Sequence, residues 1–402
     1  MIKKIIFFVS SPLSKRDYKR FGIEILRNNG FEVDVFDFTP MVNPLLYHYQ
    51  KKAFPHKTKE EGVTIVSRKD GYQSILTLTG ECFVVCLMHY RRETFWIYKA
   101  LSNTKVLYAI DLLNNFPSTD ISGVGSNRIF KKKSQITLPK IINFINNYRF
   151  RPSFAKYLGI RGPKFILAGG ESSLNSSYTA LIEENTEILW LHCLDYDIYL
   201  DHLNSVEFKA TTNSNKALFI DGGGPQFSGD ELIHGRKCIL SKEKYYPSLC
   251  RFFDVIENKL DVSVEIAAHP QSDHENRPYY FGQRLVLHDM IFKMIMQSKI
   301  VITHASTAVN IANILKKPVI FITTDEFEAD TFFSYSVNIR SAASWFGKKP
   351  INIDHNIDSV DFSQELLVDE ICYHKYKNAF IKKDGSEDLP SWQILANRLK
   401  EF

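Results

Sequence analysis

Short apolar segments alternate with helix-patterned ones along most of the chain, and no other feature limits the fold so strongly. Ile5–Ser10 is apolar up to its last residue, the pattern of a strand buried on both faces of a parallel sheet. In Asp17–Asn29 the residues Tyr18, Phe21, Ile25 and Leu26 share one helical side, with Gly30 placed to end the helix. Phe31–Phe38 then alternates as a second strand, which gives a β-α-β start. Cys82–Met88, Lys105–Ile110, Lys164–Leu167 and Glu187–His192 read as further strands, and Lys131–Tyr148 as a helix. Pro40–Gly71 shows no clear period.

The polar stretch Lys209–Lys216 has the composition of a linker. After it the alternation resumes with strand Ala217–Ile220, helix Lys242–Lys259, and strands Val262–Ala267 and Arg284–Leu287. Helix Met290–Gln297, strand Ile300–Thr303, helix Ala308–Leu315 and strand Val319–Ile322 follow, and Gln364–Phe380 and Trp392–Phe402 read as closing helices. A chain of 402 residues exceeds what one core usually holds. The expected architecture is α/β, with two Rossmann-like domains facing a cleft. They would span 1–208 and 209–362, and helices in 363–402 would cross back to the first domain.

A net charge of +5 is too mild for a nucleic-acid binder but suits an anionic ligand. The run Lys131-Lys132-Lys133 reads as a solvated loop or as a peripheral contact with anionic lipid. Six scattered cysteines without a C-x-x-C pair suggest reduced thiols in a cytoplasmic protein. The apolar start is too short for a signal peptide and runs into Lys15 and Arg16, and no run of eighteen apolar residues spans a membrane.

Chemistry concentrates where strands of the second half end. Phe219-Ile220-Asp221-Gly222-Gly223-Gly224 sets a carboxylate before glycines that let a ligand approach the backbone, so Asp221 is the candidate general base. A tight turn with Asp221 as a cap is the plainer alternative. Glu265-Ile266-Ala267-Ala268-His269-Pro270 ends a strand on a histidine able to meet a phosphate, with Pro270 fixing the exit of the chain. Thr303-His304-Ala305-Ser306-Thr307 runs from a strand into a helix and suits an anion, although Ser and Thr are also common helix caps. Asp195 and Asp197, after Leu191-His192-Cys193, compete with Asp221 as the base. Ser10 to Ser14 and Gly169-Gly170-Glu171-Ser172-Ser173 are weaker candidates for lining an acceptor site, and no residue set has metal-ligand spacing.

The order acid-Gly, His-Pro, Ser-Thr over residues 217–326 resembles the motifs of bacterial GT-B sialyltransferases and related ulosonate transferases, with Ile220 in place of the first acid. The segment from Ser306-Thr307 through Lys317-Pro318 also looks like sugar transferases of O-antigen and capsule clusters. The resemblance implies a metal-independent, inverting transferase that needs no cofactor beyond a CMP-linked donor. Asp221 and His269 would be catalytic, and Gly222, Gly223, His269, Pro270, His304, Ser306 and Thr307 would hold the donor. The acceptor would be a glycan or lipid-linked glycan of the cell surface. A UDP- or GDP-sugar transferase, a nucleotide-sugar 2-epimerase and a non-catalytic glycan or nucleotide-sugar binder remain open alternatives.

Overall fold

The computed structural model describes residues 1–11, 13, 15–53, 63–65, 71–117, 150–203, 215–226, 238–269, 272, 274, 278–288, 290–330, 335–355 and 357–402. Pro12, Ser14, Lys131-Lys132-Lys133 with the expected helix to Tyr148, most of the Lys209–Lys216 linker, and Pro270 lie outside the described residues.

The chain divides into two compact units. The first holds the described residues of 1–115, 122–194 and 383–402, and the second those of 116–121 and 195–382. In the first unit, β1 (Lys4–Val9), β2 (Glu32–Asp37), β3 (Val63–Ile65), β4 (Cys82–Cys86), β5 (Leu107–Leu112), β6 (Phe165–Ala168) and β7 (Glu187–Trp190) form one parallel sheet. Their order is β3-β2-β1-β4-β5-β6-β7. In the second, β8 (Lys216–Ile220), β9 (Ser263–Ala267), β10 (Val286–Leu287), β11 (Ile300–Thr303), β12 (Val319–Thr323) and β13 (Ile351–Asn352) are also parallel, in the order β10-β9-β8-β11-β12-β13. Counted from its own first strand, the second sheet has the Rossmann order 3-2-1-4-5-6, and the first adds one strand to it.

The apolar runs are the reason. β11 and β12 are buried at every position and β1 at all but its first, because helices cover both faces. On one face of the first sheet Phe7, Val85, Ala109 and Leu167 pack with Leu26 and with Trp392, Leu395 and Leu399 of the last helix, Ser391–Leu399. On the other, Phe8, Val84 and Ile110 pack with Phe38, Tyr98 and Leu101. Gly22 has φ +54°, and a Cβ there would lie 2.3 Å from the Trp392 ring, so the fully buried indole needs glycine beneath it.

The helices of 363–402 do not act as one element. Those before Lys383 stay with the second unit, where Tyr373 and Tyr376 meet the ring of Phe346. The remainder returns to the first unit. The expected helix Gln364–Phe380 is broken into Phe362–Glu365, Glu370–Tyr376 and a π-helical turn at Lys377–Ile381. Asp369 causes the break, because its carboxylate accepts from the backbone N–H groups of Ile371 and Cys372 and starts a new helix. Helix Leu194–Leu203 also differs from the 1–208 expectation, since from Asp195 onward it packs with the second unit. There the Asp195 carboxylate accepts from Asn310 Nδ2 at 3.0 Å.

Candidate functional site

In the second unit the chain builds outward from β8 to β10, then crosses to β11 and builds the other way. The reversal leaves a crevice at the carboxyl ends of β8 and β11, where open parallel sheets bind ligands. A cavity of about 240 Å³ lies there, with Gly222, Gly224, His269, His304 and Ser306 in its wall. Leu240, Tyr245, Phe327, Tyr335 and Ile339 supply the apolar side. Sequence-selected residues from three strand ends therefore do converge.

Asp221 is close by but is not one of the described wall residues. Its backbone N–H extends the β8–β9 pairing to Ala267 O, and its side chain is buried. Oδ1 accepts from the Gly223 N–H at 3.1 Å and Oδ2 from His274 Nε2 at 2.9 Å. Both oxygens are engaged and the side chain is closed off from solvent, so action as a general base would require these bonds to open. What it does is shape the turn. Gly223 and Gly224 take φ +92° and +42°, and a Cβ on Gly224 would meet the Tyr245 ring at 2.9 Å. A Cβ on Gly222 would point into open space.

His304 is also other than expected. Its Nδ1 lies 2.8 Å from the Ile322 carbonyl and its Nε2 2.9 Å from the Tyr245 hydroxyl. Burial lowers its pKa to about 4, so the ring is neutral near pH 7. With both nitrogens engaged it has no N–H left for a phosphate. Tyr245 stands in the first turns of helix Lys242–Leu260, whose start is pinned by Glu326: its carboxylate accepts from the Ser241 N–H at 2.9 Å and hydroxyl at 2.6 Å. Thr303, the last residue of β11, also lines the cavity, and its buried Oγ1 has no hydrogen-bond partner among the described residues.

Ser306 Oγ accepts from the Ala308 N–H at 3.3 Å, as a local turn, and keeps its own O–H to donate. Thr307 is exposed and is not in the cavity wall. His269 is partly exposed on the wall, and its carbonyl accepts from Ser272. Among the competing acids, Asp195 is buried against Asn310, whose Oδ1 in turn accepts from Tyr376. Asp197 lies on the same helix.

In the first unit the Gly169–Ser173 loop folds on itself. Ser173 Oγ accepts from the Gly169 N–H and donates to Leu112 O, and Glu171 pairs with Lys383. Asp111, near the carboxyl end of β5, is an acid that the sequence reading passed over. Burial raises its pKa to about 6. His274 and Tyr245 were passed over as well. His274 had one signal, a second histidine five residues after His269, whereas Tyr245 had none. Among the described residues no group of three His, Cys, Asp or Glu could hold a metal ion, and no helix is long and apolar enough to cross a membrane.

No protein-family model matches the chain, and no curated protein sequence matches it. Solved structures do. The wall teichoic acid polymerase TagF is similar over 99% of this chain and 89% of its own, with a TM-score of 0.52 at 12% identity. A Listeria monocytogenes protein assigned as a UDP-N-acetylglucosamine 2-epimerase is similar over 100% of this chain and 95% of its own, with a TM-score of 0.50 at 10% identity. At such identities the likeness is one of fold, and the fold is the GT-B type: two parallel-sheet, Rossmann-like domains.

Proposed function

We propose that the protein is a glycosyltransferase that draws its sugar from a nucleotide-linked donor held in the cavity of the second unit. The observation that carries this reading is the convergence of Gly222, His269, His304 and Ser306 on one cavity at the β8/β11 switch point. In the transfer, an acceptor hydroxyl oxygen bonds to the anomeric carbon, the bond from that carbon to phosphate breaks, and the hydroxyl proton passes to a base. His269 is the described wall residue able to stabilise or protonate the departing phosphate, and Ser306 offers it an O–H. Asp221 serves as a positioning residue for the glycine turn. The order of the three motifs favours a CMP-linked, sialic-acid-like donor and a glycan or lipid-linked glycan acceptor at the cell surface.

The test is calorimetric binding and turnover with CMP-, UDP- and GDP-linked sugars. A CMP-linked donor is expected to bind, and His269→Ala to lower turnover by about 10²-fold or more. If none of the three classes binds, the reading is wrong. Conversion of the donor to its epimer with the nucleotide still attached, and without acceptor, would assign a 2-epimerase instead.

A further inference from the structure

The inner wall of the cavity has a fixed hydrogen-bonding polarity. Ile322 O can only accept, so the Nδ1 of His304 that faces it at 2.8 Å carries the ring proton. The ring is neutral, so Nε2 is a lone pair, and the Tyr245 hydroxyl 2.9 Å away must donate to it. A phenol committed in this way offers a ligand only its oxygen lone pair. Beside His304 in the chain, Thr303 is 1% exposed and its Oγ1 is without a partner among the described residues. A buried hydroxyl left unpaired is costly, and a ligand atom would complete it.

The local charge points the same way. The Asp221 carboxylate lies near enough to push the Tyr245 hydroxyl up, adding to the larger effect of burial. Among the described wall residues there is no lysine or arginine. A phosphate brought to this end would face a tyrosine lone pair, a neutral imidazole and the field of a carboxylate. An uncharged group carrying an N–H beside a carbonyl or ring nitrogen would find an acceptor in Tyr245 and a hydroxyl in Thr303 that can donate or accept.

We propose that Thr303 and Tyr245 form a subsite for an uncharged amide-like edge of the ligand, separate from the position of the phosphate beside His269 and Ser306. The inference rests on the nucleotide-sugar reading for its context and deepens it. The edge could belong to a pyrimidine base or to the acetamido group of an amino sugar, and the experiment separates the two.

Full-length protein is titrated calorimetrically with cytidine, uridine, N-acetylglucosamine, N-acetylmannosamine and inorganic pyrophosphate, as wild type and as Thr303→Val, Thr303→Ser and His269→Ala. Thr303→Val keeps the shape and removes a hydroxyl that no described residue uses, so folding is preserved. It is expected to weaken either the nucleosides or the acetamido sugars about 10-fold and to leave pyrophosphate within about twofold, with Thr303→Ser restoring the loss. His269→Ala should show the reverse pattern. Parallel loss of pyrophosphate binding in Thr303→Val, or no amide-bearing probe that responds to it, overturns the subsite. If nucleosides fail to bind but an acetamido sugar responds to Thr303→Val, the subsite stands and the nucleotide reading falls. If the nucleosides bind with no response in Thr303→Val and none is seen with the acetamido sugars, the subsite falls and the nucleotide reading stands.

Discussion

Replacing Tyr245 by Phe isolates the hydrogen bond on which the polarity of the cavity depends. The ring remains, with its contacts to Tyr246 and to Gly224, and only the oxygen is lost. His304 Nε2 is then a buried acceptor without a donor, because Nδ1 stays bound to Ile322 O. Stranding one buried polar partner costs about 1–3 kcal/mol, more than the net worth of the bond itself. For a unit of this size that is a fall in Tm of roughly 2–12 °C. The assay is calorimetric unfolding of the wild type, Tyr245→Phe, His304→Leu and the double variant, following the transition of the second unit. In the double variant no nitrogen is stranded, so the cost of losing the hydroxyl should largely vanish and the cycle should return a coupling of about 1 kcal/mol or more. A Tyr245→Phe protein as stable as wild type, or a coupling near zero, would refute the assignment of the His304 tautomer.

Four further outcomes follow from the geometry. Asp221→Ala leaves His274 Nε2 buried without its partner and is expected to cost about 1–3 kcal/mol, read from the urea midpoint of the second unit's unfolding. The depressed pKa of His304 makes the unfolded chain bind the extra proton between about pH 6.5 and 4. Its contribution is therefore full above pH 6.5 and is lost as pH falls toward 4, by about 3 kcal/mol, and His304→Leu should flatten this slope. Asp111, raised to about 6, has the opposite sign: the first unit should lose stability as pH rises from about 4 to 6, and Asp111→Asn should remove that dependence. Finally, Trp392→Ala should cost the first unit about 3–5 kcal/mol, because it empties a fully buried site and frees the Arg20 carbonyl that the indole N–H now meets at 2.6 Å. Denaturant unfolding of that unit measures it.

The parallel sheets were legible because strands buried on both faces read as continuous apolar runs. Ile300–Thr303 is a strand with those same bounds, and Ala217–Ile220 needed only Lys216 added. Short edge strands were not legible. Val63–Ile65 and Ile351–Asn352 are too brief to show a period, and neighbours distant in sequence recruit them. The positions of the site residues could be read, since a residue after a strand must lie at its carboxyl edge. Which way each side chain turns could not. Asp221 turns toward His274, 53 residues on, and His304 is fixed by Tyr245, 59 residues earlier. Pairings of that range leave no local pattern, so neither the His274 partner of Asp221 nor the Tyr245 partner of His304 could be read from the sequence.

The return of the last helix has a consequence for the order in which the protein can be made. Trp392, Leu395 and Leu399 belong to the core over β1, β4, β5 and β6. A nascent chain therefore lacks part of the cover on one apolar face of its first sheet until helix Ser391–Leu399 leaves the ribosome, after the last residue of the second unit, Lys382. Deleting helix Ser391–Leu399 should show itself as instability of the unit built on residues 1–115 and 122–194, far from it in sequence.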